Sequence, residues 1–169
     1  MGDLIYKYLE ESKSALNSYI KADKNSLIYS VNLMVKAIRQ EKKILICGNG
    51  GSASDAQHFA AELIGRFKKD RIPYPAISLN TDTSAITAIA NDYDFSKIFS
   101  RQLQGLGNEG DILFAISTSG NSNNVIKAAI EAKKKNIEVI SLTGSKESKL
   151  EKYSNVCIKV STEITAQIQ

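Results

Sequence analysis

The chain has 169 residues, enough for one domain with a sizeable core. Its formal charge is +4 and it has no tryptophan. Lysines and glutamates are spread along it, as in Lys133-Lys134-Lys135 and Lys146-Glu147. This reads as a solvated surface and not as a basic, aromatic-interleaved face for nucleic acid. No apolar run approaches the length of a membrane span. Met1-Gly2-Asp3-Leu4 lacks the charged start and apolar core of a signal peptide. The expected setting is cytoplasmic, with no membrane and no nucleic acid as partner.

Residues 4–39 contain no Gly or Pro and carry helical spacing. Ile5, Leu9, Leu16 and Ile20 mark the face of a first helix. Leu27, Val31, Met34, Val35 and Ile38 mark that of a second, with Asp23 to Asn25 dividing them. A helix pair ahead of a sheet needs a place to bury its second face, and an oligomer interface would supply one. Strands and helices then alternate. Ile44 to Cys47 is a strand and Ser54 to Arg66 a helix. Pro73 and Pro75 lead into a strand at Ala76 to Leu79. Thr81 to Ala90 is a helix with Asp82 near its start, and Asp94 to Leu106 another, ended by Gly107-Asn108. Asp111 to Ile116, Glu138 to Leu142 and Val156 to Val160 are strands, with a helix from Asn121 to Lys135. This alternation predicts an α/β fold, a parallel sheet of five strands covered on both faces. Cys47 and Cys157 sit in apolar runs and read as buried free thiols, in keeping with a reducing compartment.

Two loops stand out. Cys47-Gly48-Asn49-Gly50-Gly51-Ser52-Ala53-Ser54-Asp55 breaks a strand into a glycine-rich turn that opens a helix. Glycine lets backbone approach a ligand closely, Ser52 can cap the helix, and free N–H groups at a helix start favour an anion such as a sugar phosphate. Ile116-Ser117-Thr118-Ser119-Gly120-Asn121-Ser122 repeats the logic with more hydroxyls. In parallel sheets ligands bind beyond the carboxyl ends of the strands, where both loops fall. The first loop lacks the Gly-Lys-Ser/Thr ending of a nucleotide-hydrolysing P-loop and the third glycine of a dinucleotide fingerprint.

His58 and Glu62 are four apart, on one face of the helix that the first loop opens. A surface pair, two metal ligands and a base beside a substrate all fit that spacing. Apolar neighbours (Phe59-Ala60-Ala61, Leu63-Ile64) suggest that Glu62 is partly desolvated, which suits a general base. Asn91-Asp92-Tyr93 fits either a simple turn or a contact with a sugar hydroxyl. Arg66, Arg101 and Lys127 read as surface residues.

Taken together, the run from Cys47 to Leu63, Asn91-Asp92-Tyr93, Phe99-Ser100-Arg101-Gln102, Ile116 to Ser122 and Thr165-Ala166-Gln167-Ile168-Gln169 resembles the sugar isomerase (SIS) fold. Within it, the resemblance is to the phosphoheptose isomerases. It implies a three-layer, doubly wound sheet with an N-terminal helix pair, and a single SIS domain over residues 1–169. The reaction it implies is an aldose–ketose isomerisation of sedoheptulose 7-phosphate through an enediol, feeding heptose to lipopolysaccharide core or capsule.

Substrate contacts carried over from the resemblance are Gly50, Gly51, Ser52, Glu62, Asn91, Asp92, Ser117, Thr118, Ser119, Ser122 and Gln169. Glu62 would be the catalytic base. His58, Glu62 and Gln169 would bind zinc in a homotetramer whose active sites are built from neighbouring subunits. The family's last helix carries a further histidine as acid/base partner and zinc ligand. The sequence stops at Gln169, one turn into that helix, and the expectation is a truncated helix. Ala166 stands where some relatives carry Asp. Two other roles for the same fold are a non-catalytic partner of a replication initiator and a sugar-phosphate-sensing regulatory domain.

Overall fold

A computed structural model describes residues 2–22 and 24–169. Two helices, α1 (Gly2–Ala22) and α2 (Lys24–Arg39), precede a five-stranded sheet. The strands are β1 (Ile44–Cys47), β2 (Ala76–Ser78), β3 (Ile112–Ile116), β4 (Glu138–Thr143) and β5 (Val156–Lys159). Their order is β2-β1-β3-β4-β5, and every pairing is parallel. Leu45 lies beside Ile77 on one side and Leu113 on the other. The crossovers are α3 (Gly51–Ile64), α4 (Thr83–Asp92) with α5 (Ile98–Leu106), and α6 (Asn123–Lys134). A short helix, α7 (Thr165–Ile168), follows β5.

Strand side chains alternate between two cores, because successive residues of a strand point to opposite faces. Leu45, Cys47, Leu113, Ala115 and Val139 pack with Phe99, Leu103, Val125 and Ala129 of α5 and α6. Ile44, Ile46, Ile112, Phe114 and Ile140 pack with Leu33, Ala37, Ala56 and Ala60 of α2 and α3. Phe59 meets Phe114 edge to face at 5.1 Å. This is the expected doubly wound, three-layer α/β fold. At the amino ends of β1 and β3, buried Asp111 accepts from the Lys43 ammonium at 2.6 Å, the Lys43 N–H at 3.0 Å and the Asn108 N–H at 2.8 Å.

Several boundaries and faces differ from the sequence expectation. The break expected at Asp23 lies outside the described residues, and Lys24 and Asn25 are already helical. On α2 the buried line is Ser30, Leu33 and Ala37, while Leu27, Val31 and Val35 stay exposed. On α1 the line Ile5, Leu9, Leu16 and Ile20 is exposed throughout. Helix α3 starts at Gly51, because Gly50 turns the chain at φ 56, a left-handed conformation that costs glycine little. Ser52 therefore lies inside the helix and does not cap it. Helix α4 runs two residues past Ala90, so Asn91 and Asp92 form its last turn. Its N-cap is Asp82, whose carboxylate accepts from the Ala85 N–H at 2.8 Å. Residues 95–97 form a 3-10 turn capped by Asp94. Cys47 is fully buried, Cys157 is half-buried and close to the Thr143 hydroxyl, and both are free. Among the described residues no helix is long and apolar enough to cross a membrane.

Candidate active site

The two hydroxyl- and glycine-rich turns meet at the carboxyl rim of the sheet. Parallel pairing of β1 and β3 sets Cys47 beside Ala115, so the turns that follow leave the sheet side by side. The Asn49 and Asn124 side chains then exchange two amide hydrogen bonds, at 2.9 and 2.8 Å, across 75 residues of sequence. Asn124 is buried, and a doubly satisfied amide pair in that setting fixes one turn against the other.

Ser52 is buried at the start of α3, where its hydroxyl accepts from the Gln169 amide at 3.2 Å. Gln169 thus sets the C-terminal end of α7 against the first turn. In the second turn the Ser117 hydroxyl donates to that of Ser122 at 3.0 Å, and the Ser119 hydroxyl accepts from the Asn121 N–H at 3.2 Å. Thr118 accepts through its carbonyl from the Gly144 N–H at 2.9 Å, which seats the loop after β4 on this turn. Gly120 takes φ 61, and a side chain there would run into Ser148.

The two helix starts differ in how they could meet an anion. On α3 the N–H groups of Ser52, Ala53 and Ser54 are bonded to the carbonyls of Asn49 and Gly50. The expectation of free N–H groups at that turn is therefore corrected for these three: the glycine turn is tight enough to satisfy them itself. At α6 the Ser122, Asn123 and Asn124 N–H groups have no hydrogen-bond partner among the described residues. A cavity of about 220 Å³ opens beside the second turn, with Thr118, Ser119 and Asn121 on one wall.

His58 and Glu62 point together, as their spacing predicts. His58 Nε2 is 3.1 Å from Glu62 Oε1; the histidine side chain is 78% exposed and the glutamate's 35%. Asp55, three residues before His58, completes a line along this face of α3. Burial raises its carboxyl above the ordinary range, and the charge of His58 partly opposes that rise. Arg71 holds the end of the helix, donating to the carbonyls of Glu62 at 2.8 Å and Leu63 at 2.9 Å while its guanidinium lies over Tyr74.

The expected site residues fall into groups. Gly50, Gly51, Ser52, Ser117, Thr118, Ser119, Ser122 and Gln169 gather at the rim. Glu62 is ten residues beyond Ser52, about 15 Å along the helix axis. Asn91 and Asp92 are exposed at the end of α4, where the Asn91 amide donates to Asp92 at 2.9 Å. Nearby, Arg101 lies over Tyr93 at 4.0 Å and Lys127 donates to the Ser96 hydroxyl. Neither Glu62 nor the Asn91–Asp92 pair lines the cavity at the rim.

Zinc asks for three or four firm protein ligands. His58 and Glu62 offer two donors side by side, but the Gln169 amide is engaged at Ser52, six residues and about 9 Å of helix away from His58. Among the described residues no three His, Cys, Asp or Glu side chains are grouped to hold an ion. Among the described residues this ligand set does not close on one ion.

Sequence reasoning passed over Asn49 with Asn124, Lys146 with Glu163, and Asp55. The spacing of Asp55 from His58 was readable as one helix face. The other two pairs join segments with no common period.

The pattern of the SIS domain family matches residues 7–144. A phosphoheptose isomerase of Helicobacter pylori strain P12 is 49% identical over 169 residues, covering all of this chain and 88% of the relative. A solved phosphoheptose isomerase of Neisseria gonorrhoeae superposes with a TM-score of 0.92 at 41% identity, over 99% of this chain and 89% of that one. One from Francisella tularensis gives 0.94 at 38% identity, over 98% and 88%. The chain belongs to the SIS-domain family and, within it, to the phosphoheptose isomerases.

Proposed function

We propose that this chain interconverts sedoheptulose 7-phosphate and D-glycero-D-manno-heptose 7-phosphate, an aldose–ketose isomerisation in heptose biosynthesis. The observation that carries this reading is the reciprocal amide pair of Asn49 and Asn124, which holds two hydroxyl-rich turns together at one rim of the sheet. Serine hydroxyls and the open N–H groups at the start of α6 suit the oxygens of a phosphate. Glu62 then takes the proton from C1 of the ketose while O2 gains one, giving the enediol. Return of the proton to C2 and loss of the O1 proton give the aldose. Polar groups of the turns stabilise the charge that develops on oxygen.

Ten residues of helix separate Glu62 from Ser52, and His58, Glu62, Asn91 and Asp92 reach solvent. In this reading a neighbouring copy supplies the carboxylate to the substrate held at the rim, and the enzyme is a homotetramer. The exposed apolar faces of α1 and α2 support such an assembly. His58 and Glu62 would give a zinc ion two of its ligands. No step is drawn through the metal. Two free thiols fit a cytoplasmic enzyme, and its heptose would serve lipopolysaccharide core or capsule.

The test is turnover of sedoheptulose 7-phosphate by wild type and by Glu62→Gln. The variant should keep its circular dichroism spectrum and lose kcat by roughly 10²- to 10⁴-fold, the usual contribution of a general base. A fully active Glu62→Gln enzyme would remove that residue from the mechanism.

A further inference from the structure

The cavity at the rim has a second wall that the serine turns do not explain. Opposite Thr118 and Ser119 stand the loop after β4, with Lys146 and Glu147, and the approach to α7, with Glu163. Among the described residues Lys146 is the only cation that lines the cavity. Its ammonium lies 2.8 Å from the Glu163 carboxylate, so the pair spans from the β4 loop to the segment before α7. Both side chains are more than half exposed, at 71% and 57%.

The loop that carries Lys146 is braced against the second turn at several points. The Gly144 N–H donates to the Thr118 carbonyl at 2.9 Å and the Leu150 N–H to that of Gly120 at 3.0 Å. The Lys149 N–H donates to the Asn121 side chain at 3.2 Å. On the other flank the Ser145 N–H donates to the Thr162 carbonyl at 3.1 Å. The backbone under Lys146 is thus held while its flexible stem leaves the ammonium free to change partner. An exposed ion pair contributes little, and a charge-assisted bond to a phosphate dianion is stronger. Without Lys146 the lining would hold two carboxylates, Glu147 and Glu163, and would repel that dianion.

We infer that Lys146 and Glu163 form an exchangeable latch at the mouth of the substrate site. Lys146 leaves Glu163 for the phosphate of an incoming sugar phosphate. The pair then selects phosphorylated over neutral sugars. This inference rests on the sugar-phosphate reading of the rim.

The experiment compares the whole chain with Lys146→Gln and Glu163→Gln, measuring KM and kcat for sedoheptulose 7-phosphate and inhibition by inorganic phosphate. Lys146→Gln should raise KM and the phosphate inhibition constant together by roughly three- to ten-fold, as expected for loss of one charge-assisted bond, with kcat nearly unchanged. Glu163→Gln, which frees the lysine, should lower both. An unchanged KM and phosphate constant in Lys146→Gln, or a loss confined to kcat, overturns the latch. If wild type neither turns over nor binds sedoheptulose 7-phosphate, the isomerase reading fails instead. Direct phosphate binding then decides the latch: weaker binding by Lys146→Gln supports it, and equal binding or none in both proteins overturns it.

Discussion

At the rim of the sheet, polar groups from distant parts of the chain find one another: Asn49 with Asn124, Ser52 with Gln169, Thr118 with Gly144. On the N-terminal helices the reverse holds. Leu9, Leu16 and Ile20 of α1 are 60%, 65% and 62% exposed, and Leu27, Ile28 and Tyr29 of α2 also face outward. Exposed apolar surface on this scale marks an interaction face. In the proposed reading a small ligand completes the rim, and a neighbouring copy covers the helix pair. The line Asp55–His58–Glu62 lies between these extremes, on a helix that buries Ser52 at the rim and turns His58 to solvent.

Three perturbations sharpen this contrast. The largest effect is expected at the end of the sheet opposite the rim, at Asp111. Asp111→Ala leaves the half-buried Lys43 ammonium without its carboxylate and should cost about 3–5 kcal/mol in chemical denaturation, the cost of breaking a buried pair. A loss below about 1 kcal/mol, the range of an exposed pair, would mean that water screens it.

The second effect is pH-dependent and belongs to the core. Burial pushes the Cys47 thiol up from 9.0 to about 12. The unfolded chain therefore gives up this proton above pH 9.0 while the folded chain keeps it until about 12. The thiol's contribution to stability is intact below pH 9.0 and is lost as pH rises through that window. Cys47→Ala should show a shallower decline than wild type in denaturation series across it. Parallel declines in the two proteins would contradict a neutral, buried thiol.

The smallest effect on folding is expected on α1. Leu9→Lys with Leu16→Lys should change the stability of an isolated copy by less than about 0.5 kcal/mol each, as exposed positions do. The same pair should lower the assembly mass in light scattering. Melting of the chain with no change of mass would show that these leucines serve the fold and not an interface.

Much of the fold was legible because its signals are local. The apolar run Ile44 to Cys47, the glycines after it and the spacing of His58 and Glu62 each depend on neighbours within one or two turns. Asp82 was placed near the start of α4 and proves to be its cap. The faces of α1 and α2 were less legible, since apolar spacing identifies a stripe without saying what covers it. On α2 the core took Leu33 and Ala37 and left Leu27, Val31 and Val35 outside. The cap at Ser52 was misplaced because the left-handed conformation of Gly50 starts the helix early. The latch between Lys146 and Glu163 carried no sequence signal, because two loop residues 17 positions apart share no periodicity.

By itself the order of residues determined the alternation of strands and helices, the two hydroxyl-rich turns and the face shared by His58 and Glu62. These follow from backbone preferences and from periods of 2 and 3.6, which act over a few residues. Only the folded chain decided that Asn49 meets Asn124 and that Gln169 closes over Ser52. Such contacts depend on how strands are ordered in the sheet and how loops seat on one another, and no local preference encodes those distances.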